Sequence, residues 1–351
     1  MNTKRIATAY ALLAAALYAV SLPLSKLLLT QVSPTMMAAF LYLGAGLGLY
    51  LCRLLSGKRE TADPLTRSEL PCTIGMVVLD IAAPILLMLG LERTNSANVS
   101  LLNNFEIVAT SLFAFLVFRE VLSRRLWIAI SLVTFASILL SFEGKESFEF
   151  NSGSLLVLGA SCCWGLENNC TRMLSSKSSL QITTIKGIFS GLGSFLIALT
   201  AGERLPNPAW ILATAMLGFV AYGLSINFYI KAQKDLGAAK TSAYYSIAPF
   251  LGAALGMVIL GEQSTLPFFL GLLIMILASV LLVRDTVSLQ HTHEHTHIHT
   301  HVHAHGGLIH THPHSHTHTH AHIHGQDESF HVHSHKKLEE HSHAHLPQEE
   351  P

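Results

Sequence analysis

The sequence predicts an all-α integral membrane protein: ten transmembrane helices in two inverted five-helix repeats, followed by a disordered C-terminal tail. Three observations carry that prediction. Long apolar stretches recur through the first 290 residues, the two halves of that region align with each other, and all 22 histidines fall in the remaining 61 residues. Half of the chain is hydrophobic and only 13% is charged, against roughly 25% charged in soluble domains.

A bilayer core about 30 Å thick needs roughly 20 apolar residues per helix. Residues 6–29, 34–55, 71–91, 97–117, 125–143, 153–174, 180–201, 208–230, 238–260 and 266–284 meet that requirement. The first stretch follows Lys4 and Arg5, as a secretory signal would, but it is long for a signal and has a counterpart later in the chain. It is therefore read as a retained span. The five cysteines, Cys52, Cys72, Cys162, Cys163 and Cys170, match no zinc or redox spacing and read as small packing residues.

An even number of spans puts both termini on one side of the membrane. Lys and Arg concentrate in cytoplasmic loops. With the N-terminus inside, 17 basic residues fall in cytoplasmic segments and four outside: Lys26, Arg93, Lys145 and Arg204. Lys186 lies within a span. The tail is then cytoplasmic.

Residues 91–141 and 233–283 align without a gap at an offset of 142. Ala97 meets Ala239, Glu120 meets Glu262, and Ala136-Ser137-Ile138-Leu139-Leu140 meets Ala278-Ser279-Val280-Leu281-Leu282. At an offset of 146, Ala14 meets Ala160, Tyr18 meets Trp164, Ser25 meets Thr171 and Lys26 meets Arg172. This sets the domains as 6–141, 153–285 and the tail, 286–351. Five spans is an odd number, so the halves must face opposite ways. The charges agree: Arg119, Arg124 and Arg125 sit between spans 4 and 5, while the matching loop between spans 9 and 10 holds no Lys or Arg. Inverted repeats are a common transporter plan, with substrate held between the halves.

The stretches Leu236-Gly237-Ala238-Ala239-Lys240-Thr241, Ala248-Pro249-Phe250 and Leu260-Gly261-Glu262, with Cys163-Trp164-Gly165 opening the second half, form a pattern. On these residues the sequence resembles the EamA type of the drug/metabolite transporter superfamily over about residues 6–285. The first half departs from the pattern, with Ile107 opposite Pro249 and Tyr18 opposite Trp164. The resemblance implies transport. That family moves amino acids, other metabolites, toxic cations and sugar phosphates, so no single cargo is implied.

Charged groups inside a span cost about 2.5–3.5 kcal/mol at the helix centre, and they usually face a cavity or a partner. Asp80, Glu106, Glu167 and Lys186 are such groups. Asn103 shares a helix face with Glu106, and Trp164, Glu167 and Asn168 share another. A carboxylate beside amides and an aromatic ring suits a cationic or amine-bearing substrate. Desolvation favours its neutral form, which also suits a proton carrier. A purely structural role competes: Lys186 neutralises Glu167 or Glu106, and the amides join helices. Asp80 lies one turn before Pro84, where a broken helix is expected. Tyr222, Asn227, Tyr244, Tyr245 and Ser246 are further pore candidates, and Lys26 and Arg172 read as snorkelling side chains. Three Gly-x-x-x-Gly pairs, Gly44/Gly48, Gly187/Gly191 and Gly252/Gly256, read as close-packing surfaces.

In the tail, imidazole recurs at nearly every second position, including His291, His293, His295, His297, His299, His301, His303, His305, His312, His314, His316, His318 and His320. Thr, Ser, Gly and Pro interleave, so no core can form and disorder is expected. Zn, Ni, Co or Cu would bind weakly at many interchangeable sites.

No catalytic constellation and no P-loop is visible, so the chain reads as a non-enzyme that needs no cofactor. The expected partners are the lipid bilayer, a small-molecule solute and divalent metal ions at the tail, with no nucleic acid. The leading expectation is a secondary-active transporter of a small metabolite or drug-like solute, working in efflux by alternating access. Its expected location is a bacterial inner membrane, with both termini cytoplasmic. Two alternatives stay open: a divalent transition-metal exporter whose tail collects cargo, and a membrane-tethered metal buffer or sensor that transports nothing.

Overall fold

Short polar residues cut the apolar chain into helices. Ser123, Asn151, Ser178 and Asn207 each accept a hydrogen bond from the backbone N–H of the first turn that follows, at 2.7–3.0 Å. Such caps satisfy amides that the helix itself leaves unpaired. The computed structural model describes residues 2–56, 65–119, 122–141, 151–174, 177–236, 241, 244–305 and 308–323. The chain divides into two units, Met1–Gln290 and His291–Pro351.

In the first unit, α1 (Asn2–Ala19) passes through Val20 into α2 (Ser21–Leu28). Then come α3 (Pro34–Ser56), α4 (Leu70–Arg93), α5 (Ser96–Leu102), α6 (Phe105–Phe118) and α7 (Arg124–Leu140). The second half holds α8 (Ser152–Met173), α9 (Ser179–Thr200), α10 (Pro208–Gly218), α11 (Ser225–Leu236), α12 (Ala248–Leu260) and α13 (Leu266–Leu289). A π-helical stretch, Phe219–Leu224, links α10 to α11. Among the described residues, seven helical stretches are long and apolar enough to cross a bilayer: Arg5–Leu28, Pro34–Cys52, Arg67–Arg93, Ser96–Val117, Leu180–Thr200, Pro208–Ala232 and Leu266–Arg284. The other three expected spans are helical over shorter or more polar lengths. Helix α7 has 17 residues, α12 has 13, and α8 carries Glu167, Asn168, Asn169 and Arg172.

The packing repeats when the halves are exchanged. Helix α4 lies along α8, and α1 lies correspondingly along α11. Helices α3 and α9, α5 and α12, and α7 and α13 pair with their own counterparts. The α3–α9 pair is closest at its glycines. A Cβ added to Gly187 would lie 2.6 Å from the Cα of Gly46, so only hydrogen lets these backbones meet. Large side chains such as Met36, Met37, Leu41, Leu87, Leu101 and Leu102 fill the centre, while Leu196, Leu212, Val258 and Leu266 point outward.

One expectation needs correction here. Helix α4 runs unbroken past Asp80 and Pro84. Interruptions fall instead at Val20, at Asn103–Asn104, in the π-helical stretch and at Ser246–Ile247. After α13, Gln290–His305 and Leu308–Ile323 are drawn as a two-stranded sheet. Thr, Val and Ile between the histidines favour an extended, paired backbone. The histidine side chains, and with them the expected metal sites, lie outside what the structure describes.

Candidate functional site

A cavity of about 560 Å³ lies between the two halves. The first half contributes Tyr18, Tyr42, Ala45, Asn103, Asn104, Glu106 and Ile107 to its wall. The second contributes Trp164, Glu167, Asn168, Thr183, Lys186 and Gly187, then Tyr222, Ile226 and Tyr229, and finally Tyr245, Ser246, Ala248 and Pro249. Interruptions of helical geometry reach this wall. Asn103 and Asn104 form the turn between α5 and α6, and Tyr222 sits in the π-helical stretch. Local departures of this kind are frequent at functional sites.

One side of the cavity holds a charged cluster. Lys186 Nζ on α9 lies 3.1 Å from Asp80 Oδ2 on α4 and 2.9 Å from Glu167 Oε2 on α8. Tyr42 Oη and Trp164 Nε1 donate to Asp80 Oδ1 at 3.2 and 3.1 Å. The Thr171 hydroxyl donates to Glu167 Oε1. Two carboxylates therefore share one ammonium.

Glu106 on α6 adds a further carboxylate to the cavity wall. Asn168 Nδ2 donates to Glu106 Oε1 at 2.7 Å and lies 3.3 Å from Thr110 Oγ1. Lys186 spends its bonds on Asp80 and Glu167, so the expected neutralisation falls on Glu167 and not on Glu106. Asn103, one turn before Glu106, is 8% exposed. Among the described residues, neither its Nδ2 nor its Oδ1 has a hydrogen-bond partner. Tyrosines close the remaining wall. The rings of Tyr18 and Tyr222 meet edge-on at 5.7 Å, Tyr18 and Tyr245 lie 5.9 Å apart, and Tyr229 and Tyr245 lie 5.1 Å apart.

Of the residues that the sequence singles out, Glu106, Glu167, Asn103, Trp164, Asn168 and Lys186 reach the cavity wall. Asp80 does not. It is fully buried behind Lys186 and serves that ammonium. Tyr244 does not either; it is 40% exposed, and its neighbour Tyr245 takes the place in the wall. Tyr222 and Ser246 line the cavity as expected, while Asn227 stays out of it. Tyr42 is a wall residue that the sequence does not single out. A hydroxyl within the otherwise apolar run of α3 is the available signal, since a buried phenol needs a partner. Among the described residues, no three His, Cys, Asp or Glu side chains come together to hold a metal ion.

Buried or half-buried charges also tie helix ends together. Lys26, expected to snorkel, instead donates to the carbonyls of Leu91, Glu92 and Thr94, the last at 2.9 Å, at the C-terminus of α4. Glu203 accepts from the Ser33 hydroxyl and from the amides of Thr35 and Met36 at the start of α3. Glu262 accepts from the amides of Ser96 and Ala97 at the start of α5, at 2.7 and 2.8 Å. Each places a charge where the helix dipole favours it.

The fold has known counterparts. A solved crystal structure superposes with a TM-score of 0.59 at 16% identity, covering 81% of this chain and 97% of the other; at that identity the likeness concerns the fold alone. An uncharacterized transporter of Methanothermobacter thermautotrophicus is 27% identical over 266 residues, which is 70% of this chain and 76% of that protein. The uncharacterized inner membrane transporter YedA of Escherichia coli K12 is 24% identical over 256 residues, covering 71% and 81% respectively. The EamA-like transporter family matches twice, over residues 5–142 and again over 151–284. Two matched repeats, apolar helices long enough to span a bilayer and relatives that carry the transporter name agree: this chain is an integral membrane protein that belongs to the EamA-like transporter family.

Proposed function

We propose that the chain is a secondary-active transporter that carries a small metabolite or drug-like solute through the cavity by alternating access. The observation that carries this proposal is a cavity walled by both repeats, with one carboxylate in its wall from each half, Glu106 and Glu167. Ten spans in two oppositely oriented sets of five complete the scheme, with both termini cytoplasmic. The paired packing of the halves and the basic loops support it. YedA is named as an inner membrane protein, which supports the same location here.

The charged helix caps support a state closed on one side. Lys26, Glu203 and Glu262 all lie in or beside loops that the charge distribution assigns to the outer face. Such a state opens toward the cytoplasm, and exchange of the two halves would generate the opposite one. Asp80 and Glu167 already engage Lys186, which supports an organic solute over a metal ion as cargo.

The test is a solute-tolerance panel on cells that carry the wild-type gene or the Glu106→Gln/Glu167→Gln double variant, followed by flux in oriented vesicles, which also reads direction. Tolerance to at least one solute should depend on the wild-type pair. A double variant with unchanged transport rate and pH dependence would end the proposal.

A further inference from the structure

We infer that the cavity selects organic amine cations, with Glu106 as the seat of the ammonium and Asn103 as the hydrogen-bonding anchor of a hydroxyl or carbonyl on the same molecule. The inference rests on the transport function proposed above and names its substrate class.

Charge balance comes first. Three carboxylates, Asp80, Glu106 and Glu167, face or flank the cavity, against one ammonium, Lys186. With all four ionised, the site carries two excess negative charges in surroundings of low dielectric. An anionic substrate would meet repulsion there. Lys186 is no free receptor for an anion, because two carboxylates already hold it at 2.9 and 3.1 Å. A zwitterion meets the same obstacle at its carboxylate end.

Glu106 is held by a neutral donor. Its Oε1 accepts from the amide of Asn168, at 2.7 Å. Glu106 is half-buried, and an incoming ammonium supplies a counter-charge to it through a charge-assisted bond. Tyr18, Tyr222 and Tyr245 line the same cavity, and the face of such a ring attracts a desolvated cation.

Asn103 is the independent observation. Its amide is more than nine-tenths buried, lines the cavity, and has both donor and acceptor unpartnered among the described residues. Buried amides are normally satisfied. One turn from Glu106, it can bond a polar group carried beside the ammonium, as in a hydroxy- or amido-amine.

The experiment uses the purified full chain in lipid nanodiscs. Binding of ethanolamine, phenethylamine and spermidine is measured by calorimetry and by Trp164 fluorescence, each against its alcohol isostere and its carboxylate isostere. At least one amine should bind about tenfold or more tightly than both isosteres. Glu106→Gln should erase that preference, and Asn103→Leu should weaken ethanolamine more than ethylamine. The wild-type series stands alone if a variant does not fold. An equal or tighter alcohol or carboxylate, no binding by any amine, or an amine preference that survives in folded Glu106→Gln overturns the inference. Liposome flux separates the two levels. An amine bound but never carried removes the transport function and leaves the selectivity, whereas a carried anion does the reverse.

Discussion

Arg119 and Gly261 occupy the same position in the two repeats, 142 residues apart, and both hold a left-handed backbone, with φ of 55° and 64°. Each ends a helix, α6 in one half and α12 in the other. Glycine adopts this conformation freely, whereas a side chain costs about 1–2 kcal/mol there. Arg119→Gly should therefore stabilise the protein by about 1 kcal/mol. Gly261→Ala should destabilise it by a similar amount, although a Cβ at Gly261 meets nothing within 4 Å. Thermal unfolding in detergent reads both. Equal melting of wild type and Arg119→Gly would show that the turn is not under strain.

Among the described residues, Lys186 is the cation paired with both Asp80 and Glu167, so its loss strands two buried carboxylates. Removing one partner of a buried ion pair costs about 3–5 kcal/mol. Lys186→Met should express poorly or melt many degrees lower. Lys186→Met with Asp80→Asn should recover part of that loss, and Asp80→Asn alone should be the mildest of the three, because Glu167 and Lys186 remain paired. A double variant no better than Lys186→Met would remove charge burial as the cause.

Much of this site is legible in the amino-acid sequence. Glu106 with Asn103, and Glu167 with Trp164 and Asn168, are spaced at one helical turn, and helical spacing alone puts each set on one face. The same spacing does not say which carboxylate Lys186 chooses, because that depends on how α9 lies against α4 and α8. Tyr244 and Tyr245 differ by one position, about 100° of helix rotation, and the turn that sets their phase at Ser246–Ile247 has no sequence signature. Lys26 departs from expectation for a related reason. Its carbonyl partners lie more than sixty residues away, at a helix end that only packing brings near. The repeat itself is legible because apolar patterning, Glu262 and the reversed loop charges are all properties of sequence.

Glu262 joins two parts of the chain 166 residues apart through the amide of Ser96. A carboxylate on two free amides at a helix start contributes about 1–2 kcal/mol. Glu262→Gln should lose part of that and Glu262→Ala most of it. The expected order of melting temperatures is wild type, then Gln, then Ala. In the alternating-access scheme, the same order should appear in reverse for labelling of an Asn103→Cys variant from the outer face of a cysteine-free protein. No change in either measurement would deny the cap any part in closure.

Deleting residues 290–351 removes every histidine and leaves α13 whole, since that helix runs to Leu289. The described residues of the cavity wall run from Tyr18 to Pro249. Solute transport by the truncated protein should therefore match wild type within about twofold, a difference of about 0.4 kcal/mol in the rate-limiting step. Retention on immobilised Ni or Zn should disappear. A truncated protein that binds solute but no longer carries it would make the tail part of the transport cycle.

Opposed orientation of the halves makes the sharpest demand. Arg124, at the start of α7, and Ser264, before α13, occupy corresponding loops of the two repeats. Each half contributes an odd number of expected spans, so these loops must face opposite sides of the membrane. The loop holding Arg119, Arg124 and Arg125 belongs inside, and its counterpart, which lacks Lys and Arg, belongs outside. In a background with Cys52, Cys72, Cys162, Cys163 and Cys170 replaced, an impermeant maleimide added to intact cells should label Ser264→Cys. It should reach Arg124→Cys only after the membrane is opened. Labelling of both from the same side would leave an odd number of crossings unexplained. The two repeats would then have to lie parallel, with no exchange of halves to drive a transport cycle.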